Sequence, residues 1–401
     1  MTALKRLFGD GFRVFFFFAG VFAILSMLVW ELYLTTLATG GLIELPTAAP
    51  PHLWHAHEMI FGYGAAVLGG FFLTAVPSWT GGKSAPHRFI LLASMLWLAG
   101  RLAVSGSAHL PPGLVAAADL AFIPVLSLNI VTQLIRSPKP QQMVFLLLLA
   151  LFWTGNLLVH LEWLGWTGDT LWSGLRVGLL TLSTMIMVLG GRVTPGFTRN
   201  AMVQSGREHH LPRNPKPLAG LSIVAALGLT TGYLLAVPLP ILAPVALLAG
   251  GAGLVRVALW QGLWTRDKPI LWTLHLSYAV NAAGLVALGL ANLNLTSEVA
   301  ALHLLGIGGV GGMTLAMMTR ASLGHTGRAL IAPGPVVLAY ALVPLAALAR
   351  FAGSAIPSLY TPAVLTAGAL WLLAFTLFTL TYWPVFWGPR VPRAPAGRPP
   401  A

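Results

Sequence analysis

The chain has 401 residues, of which 57% are hydrophobic and only 8% are charged, and it contains no cysteine. Soluble domains have about 45–50% apolar and about 25% charged residues, so this composition excludes a soluble protein and indicates a polytopic membrane protein. The net charge of +13 is then explained by asymmetric loops rather than by nucleic-acid binding. The missing cysteines exclude disulfides, thiolate metal sites and covalently attached haem.

Twelve segments of the chain are each apolar over the roughly 20 residues that a membrane-spanning helix needs. The first follows Lys5 and Arg6 and is too long for a signal-peptide core, so we expect it to remain as a span. The fold prediction is all-α, with a single twelve-helix membrane domain over residues 1–387 and a Pro/Arg-rich tail, residues 388–401, expected to be disordered. The predicted spans are Phe12–Leu34, Trp54–Val76, Arg88–Ser107, Leu114–Ile135, Gln142–Trp163, Leu171–Arg192, Pro217–Val237, Leu239–Gln261, Ile270–Ala291, Glu298–Thr319, Leu330–Phe351 and Pro362–Trp383.

Basic residues alternate between the connections. Of the 23 lysines and arginines, 19 precede the first span or follow an even-numbered one, and the intervening connections hold none. The positive-inside rule therefore predicts that both termini are cytoplasmic. The other four, Arg101, Arg176, Arg256 and Arg350, fall inside spans, where a charge is costly.

These buried arginines have two interpretations. They could pair with Asp119, Glu162 or lipid head groups, or they could bind anionic groups such as haem propionates. Under the second interpretation, Arg101 and Arg176 are candidate cofactor-binding residues.

The ends of the sixth and tenth spans share a pattern. Arg192–Thr198 and Arg320–Thr326 both read R-x-[ST]-x-G-[FH]-T, and the second span ends in an aromatic residue and Thr before Gly81. Counting back 23 residues from each final Thr reaches His57 in the second span and His303 in the tenth, although the sixth has no His there. Spans two, six and ten run in the same direction, so we predict three parallel four-helix units around a pseudo-threefold axis.

Without thiolates, any metal must be bound by histidine, methionine or carboxylate. His57 and His303 occupy equivalent places on parallel helices, so we predict that they approach a flat cofactor from two sides. His55 points about 200° away from His57 on a helix and is assigned a separate role. A structural hydrogen bond is the alternative for a lone histidine within the membrane. The candidate metal ligands are His55, His57, His160, His275, His303 and His325.

Several segments together resemble the NnrS family. They are Trp54–Tyr63, Leu73–Gly81, Arg192–Thr198, His275–Ala279 and Arg320–Arg328. The resemblance covers nearly the whole chain, and its Trp-His-Ala-His-Glu-Met segment is specific. It implies a bacterial inner-membrane protein that contains haem and copper and is associated with nitric oxide metabolism and resistance to nitrosative stress. The motif histidines are carried over as candidate ligands only.

Twelve spans with a four-helix repeat are also similar in outline to the catalytic subunit of haem–copper oxidases, in which histidines of the second and tenth helices hold haem. Here the sixth span has no His, and no His-His pair lies in a membrane helix. The similarity therefore bears on where a cofactor lies and not on activity. It supports His57, His303 and His55 as cofactor-binding candidates.

Three functional hypotheses follow. The first is a haem–copper membrane protein that binds nitric oxide or processes it as a redox enzyme, with the gas reaching the site through the lipid bilayer. The second is a secondary transporter for metal or haem, with histidines as transient ligands and helix breaks near Pro124, Pro244 and Pro344. The third is a structural or sensory role. The electron donor is left open.

Overall fold

The computed structural model of the protein describes residues 2–136 and 142–392, and within these ranges all regular secondary structure is helical. Twelve helices in the described ranges are long and apolar enough to cross a membrane, which confirms the predicted number of spans. Lys139, Arg393 and Arg398 lie outside the described residues. The helices are α1 (Gly11–Ala38), α2 (Pro51–Thr80), α3 (His87–Ser105), α4 (Pro112–Arg136), α5 (Val144–Trp163), α6 (Leu171–Gln204), α7 (Lys216–Leu234), α8 (Leu239–Ala258), α9 (Pro269–Ala291), α10 (Glu298–His325), α11 (Gly334–Ala355) and α12 (Pro357–Trp387).

Helices α2, α6 and α10 form the centre of the bundle. In α2 and α6, 78% of the most apolar stretch is buried, and in α10 67%, against at most 61% in any other helix. They have 30, 34 and 28 residues, so each exceeds the roughly 30 Å apolar thickness of a bilayer at 1.5 Å per residue. Each of the three extends beyond the last residue of its predicted span, to Thr80, Gln204 and His325. Arg192–Thr198 is helical, and His325, expected in a loop, is the last residue of α10.

Each central helix also contains a π-helical segment: Glu58–Tyr63 in α2, Ile186–Gly190 in α6 and Leu304–Gly311 in α10. A π-helical turn disturbs the regular backbone ladder and is frequent at functional sites. In α2, the indole nitrogen of Trp97 donates to the carbonyl of Gly62 at 2.9 Å. The pseudo-threefold arrangement itself stays a prediction.

The π-helical segment of α6 is held by Arg256 of α8, which is only 1% exposed. Its guanidinium donates to the carbonyls of Met187 and Gly191 at 3.2 and 2.9 Å. It also donates to the hydroxyls of Ser222 and Tyr278 at 2.7 and 2.8 Å. This buried arginine is therefore satisfied by neutral acceptors and acts as a structural tie between helices.

The ring of helices closes where α1 packs against α12. The guanidinium of Arg13 donates to the carbonyls of Val385 and Gly388 at 2.9 and 2.8 Å, and so caps the end of α12. Arg390 pairs with Asp10 at 2.7 Å. Residues 10–13 and 385–390 therefore lie together at one end of the bundle, called here the terminal end. Residues 393–401 of the predicted tail lie outside the described residues.

The prolines predicted to break helices have different surroundings. Pro244 and Pro344 lie inside continuous helices. The helix α4 is interrupted at Ala121, three residues before Pro124.

Candidate metal centre

Ionisable side chains from four helices meet at the end of the bundle opposite the terminal end. We call this group the acid–histidine cluster. It contains His57 and Glu58 of α2, Arg101 of α3, Asp119 of α4 and His160 of α5, and none is more than 5% exposed. Intramembrane charge of this density is costly and marks a functional site by default.

Glu58 orients the ring of His57. The Nδ1 atom of His57 lies 2.9 Å from Oε1 of Glu58, and Nε2 lies 2.8 Å from Oδ1 of Asn156 and 3.3 Å from Oδ2 of Asp119. The amide of Asn156 donates from Nδ2 to Asp119 at 2.8 Å, which places its oxygen toward His57. When Nδ1–H donates to Glu58, the lone pair of Nε2 therefore faces two acceptor oxygens. Such an arrangement needs a proton or a cation between these atoms.

His160 completes a set of possible metal ligands. Its Nε2 atom lies 2.9 Å from Oδ2 of Asp119, and one ligand atom each from His57, Asp119 and His160 lie within 4.8 Å of one another. In the described part of the chain this is the one group of three or more such side chains that could hold a metal ion. The indole of Trp163 covers it, with ring centroids 5.0 Å from His57 and 5.2 Å from His160.

The charges of the cluster do not balance. Arg101 forms ion pairs with both Glu58 and Asp119. The pair with Asp119 is the one that the first interpretation of the intramembrane arginines predicted. With neutral histidines, two carboxylates face one guanidinium, and the net charge is −1. An uncompensated charge in a water-poor interior is unfavourable. The cluster is therefore suited electrostatically to a positively charged guest.

Arg101 reaches Glu58 because α2 has a glycine at the crossing point. A Cβ atom added to Gly62 would lie 2.8 Å from Nη1 of Arg101 and 2.6 Å from the ring of Phe22. Both distances are shorter than real Cβ contacts, so a side chain at position 62 would displace the guanidinium. This close approach explains the glycine within the π-helical segment.

A second histidine group contains His55 of α2, His303 of α10 and Arg350 of α11. His55 stacks on Trp30 with ring centroids 4.6 Å apart, and its Nδ1 atom is buried with no hydrogen-bond partner. His303 and Arg350 lie within electrostatic range of His55. His303 places Nδ1 2.7 Å from the carbonyl of Val299, which leaves Nε2 available as a ligand.

The histidines are thus brought together differently from the predicted pairing. We expected His57 and His303 to face each other across a cofactor. The ring nitrogens of His57 contact Glu58 and Asn156 instead, beside His160, and His303 lies near His55. The pairing was predicted from positions along the helices, which do not define the directions of the side chains.

The remaining candidates lie elsewhere. Arg176 forms a two-pronged ion pair with Glu298, at 2.6 and 2.9 Å. Nε2 of His275 contacts the hydroxyl of Thr198 at 2.8 Å, and His325 lies at the terminal end. Within the described ranges neither of these two histidines joins a three-ligand group. Their roles as ligands stay predictions, and so does the cofactor-binding role of Arg176.

Two residues of the site were missed from the sequence. Asp119 was considered only as a partner for an arginine, although a carboxylate within a span is itself a signal of function. Asn156 stands four residues before His160, a spacing that places both side chains on one face of α5. That spacing was the available signal.

One comparison with known proteins bears on the whole chain. The family model described as NnrS protein matches residues 6–390, which include all five residues of the acid–histidine cluster. No curated protein matches the chain.

Proposed function

This chain belongs to the NnrS family, and from that premise we propose that it is a haem- and copper-binding membrane protein that acts in nitric oxide metabolism or in resistance to nitrosative stress. Family membership suggests a nitric-oxide-related membrane protein. The observation that carries the finer proposal is the buried acid–histidine cluster.

We assign the copper to His57, Asp119 and His160. Imidazole nitrogen and carboxylate oxygen are ligands that Cu(II) accepts. The lone pair of His57 that faces acceptor oxygens and the net charge of −1 both favour a cation at this place. Glu58 would hold the His57 ring in the ligating tautomer, as carboxylates do for other metal-bound histidines. Bound copper would supply one-electron chemistry and a coordination position for a diatomic ligand.

We assign the haem to His303 and His55. The unpartnered Nδ1 atom of His55 and the free Nε2 atom of His303 are the observations that fit an iron ligand. Arg350 has no ion pair with a carboxylate in the described ranges and is suited to a propionate. Arg101 and Arg176, the arginines predicted for this role, already have carboxylate partners. Bound haem would supply a redox-active iron.

The protein is proposed to lie in the bacterial inner membrane with both termini in the cytoplasm. The large excess of lysine and arginine on the connections at the terminal end supports this orientation. Nitric oxide dissolves in lipid and needs no polar path through the helices. Nitric oxide can therefore reach the cluster from the bilayer, although the cluster lies at the end of the bundle opposite the terminal end.

Purified protein tests the proposal. We expect copper by elemental analysis and a Soret band whose position changes on reduction. His57→Ala and His160→Ala should each remove most of the copper and leave the Soret band, and His303→Ala should alter the band and leave the copper. His209→Ala, in an exposed loop, is the matched control. Protein without copper and without a Soret band would refute the proposal.

A further inference from the structure

A cavity of about 560 Å³ lies between α2, α6 and α10, on the side of the acid–histidine cluster toward the terminal end. Its walls are mainly apolar, and its volume lies in the range of about 300–1,000 Å³ that is typical of ligand pockets. None of the five residues of the acid–histidine cluster lines it. The cavity is therefore a separate feature of the three central helices.

The three helices contribute matching positions to this cavity. When they are aligned on Thr80, Thr198 and Thr326, most lining residues of each helix have lining counterparts on the other two. Two such triplets are Val67, Met185 and Met313, and Phe71, Leu189 and Met317. The cavity therefore lies where the proposed pseudo-threefold axis would pass.

One triplet gives the cavity a polar edge. Its members are Thr74, Arg192 and Arg320, so two helices supply a guanidinium and the third a hydroxyl. The guanidinium of Arg320 lies 4.0 Å from the ring centroid of Phe197. In the described part of the chain neither arginine forms an ion pair with a carboxylate. Two positive charges without a carboxylate partner in the described ranges thus stand at the edge of an apolar space.

We propose that this cavity binds an amphipathic anion, with the apolar body of the ligand between α2, α6 and α10 and its acidic group on Arg192 and Arg320. Guanidinium groups bind carboxylate and phosphate through paired hydrogen bonds, and the surrounding apolar wall strengthens such contacts. A fatty acyl carboxylate and a porphyrin dicarboxylate share this chemistry. The site does not depend on copper or haem at the far end of the bundle.

Direct binding to the full chain in phosphatidylcholine nanodiscs tests the proposal. The probes are a fluorescent polyene fatty acid and protoporphyrin IX, each compared with its methyl ester, which keeps the apolar body and loses the charge. We expect at least one acid to bind about tenfold or more tightly than its ester. The acid that binds more tightly than its ester shows whether the ligand is a fatty acid or a porphyrin. Equal binding of acid and ester for both probes would overturn the proposal.

Variants locate the site. Arg192→Gln and Arg320→Gln should each weaken the preferred acid about tenfold and leave its ester unaffected, whereas Arg320→Lys should retain part of the preference. Ala75→Phe, which fills the cavity, should weaken acid and ester alike. Arg199→Gln, at an exposed position of α6 outside the cavity wall, is the control. If both glutamine variants still bind the acid as much more tightly than its ester as the unaltered chain does, the site is refuted. If a variant fails to fold, the comparison of acid and ester on the unaltered chain tests the proposal by itself.

Discussion

His57 and Glu58 are neighbours in sequence, and Nδ1 of the histidine ring lies 2.9 Å from Oε1 of the carboxylate. Adjacent residues of a regular α-helix point about 100° apart, and this pair stands where the backbone of α2 becomes π-helical. Glu58 thereby turns the other ring nitrogen toward Asp119. The carboxylate is a positioning residue of the proposed copper site.

Glu58→Gln tests this positioning role. The amide keeps the size of the side chain and an acceptor oxygen but removes the charge that holds the ring and Arg101. Loss of such an outer partner typically lowers metal affinity about 10–100-fold, and we expect a loss in that range in competition with a chelator of known affinity. Glu44→Gln, in an exposed connection, should leave the affinity unchanged. If Glu58→Gln and Glu44→Gln bind copper with equal affinity, Glu58 does not position the copper ligand.

Asp119→Asn should have a larger effect, because the carboxylate is a proposed ligand and also a partner of Arg101. We expect copper to be lost. We also expect the free energy of unfolding to fall by about 3–5 kcal/mol, the usual effect of removing one member of a buried ion pair. Elemental analysis and thermal unfolding in detergent measure the two effects. Asp169→Asn, at an exposed position, is the control, and copper retained by Asp119→Asn would place the metal elsewhere.

Gly62→Ala tests whether the close approach of Arg101 to α2 at Gly62 is needed for the copper site. The added methyl group would lie 2.8 Å from the guanidinium and 2.6 Å from Phe22, and overpacking of this kind costs about 1–3 kcal/mol. We expect a lower melting temperature and weaker copper binding. Gly113→Ala adds a methyl group with no atom within 4 Å and should change neither. A Gly62→Ala protein with unaltered copper affinity would show that Arg101 can move without consequence.

The orientation predicted from the basic residues has its own test. Green fluorescent protein fused after Trp387 should fluoresce in a bacterial host, because that end of the chain is expected in the cytoplasm. Alkaline phosphatase at the same place should be inactive, and phosphatase inserted between α1 and α2 should be active. The reverse pattern of activities would place both termini outside.

Much of the fold could be predicted from the sequence, because hydrophobic length alone distinguishes a spanning helix from a loop. All twelve spans were located this way. The ends of α6 and α10 were missed, since Arg192–Thr198 and Arg320–Thr326 are too polar to be recognised as membrane helix.

The site could be predicted only in part. His57 and His160 were identified as candidate ligands, and Arg101 as a possible partner of Asp119. The grouping of histidines was not predictable, because it depends on side-chain directions near a π-helical segment, and a period of 3.6 residues does not hold there. Asn156 has no charge and therefore gave no signal by itself.

The last prediction concerns Arg256, whose buried guanidinium donates to the carbonyls of Met187 and Gly191. Arg256→Met removes the donor to the carbonyl of Met187 and to two hydroxyls, while the carbonyl of Gly191 keeps the hydrogen bond from Asn214. An unsatisfied buried polar group costs about 1–3 kcal/mol. We expect thermal unfolding at a clearly lower temperature, corresponding to about 2 kcal/mol or more.

Arg256→Lys should recover only part of this stability, because one ammonium group cannot reproduce the separate directions of the guanidinium donors. Arg266→Met, at an exposed position, is the control and should melt like the unaltered protein. Copper content should stay the same in all three variants, since Arg256 lies on α8, away from the acid–histidine cluster. If Arg256→Met and Arg266→Met melt at the same temperature, the π-helical segment of α6 is held by its helix packing and not by this arginine.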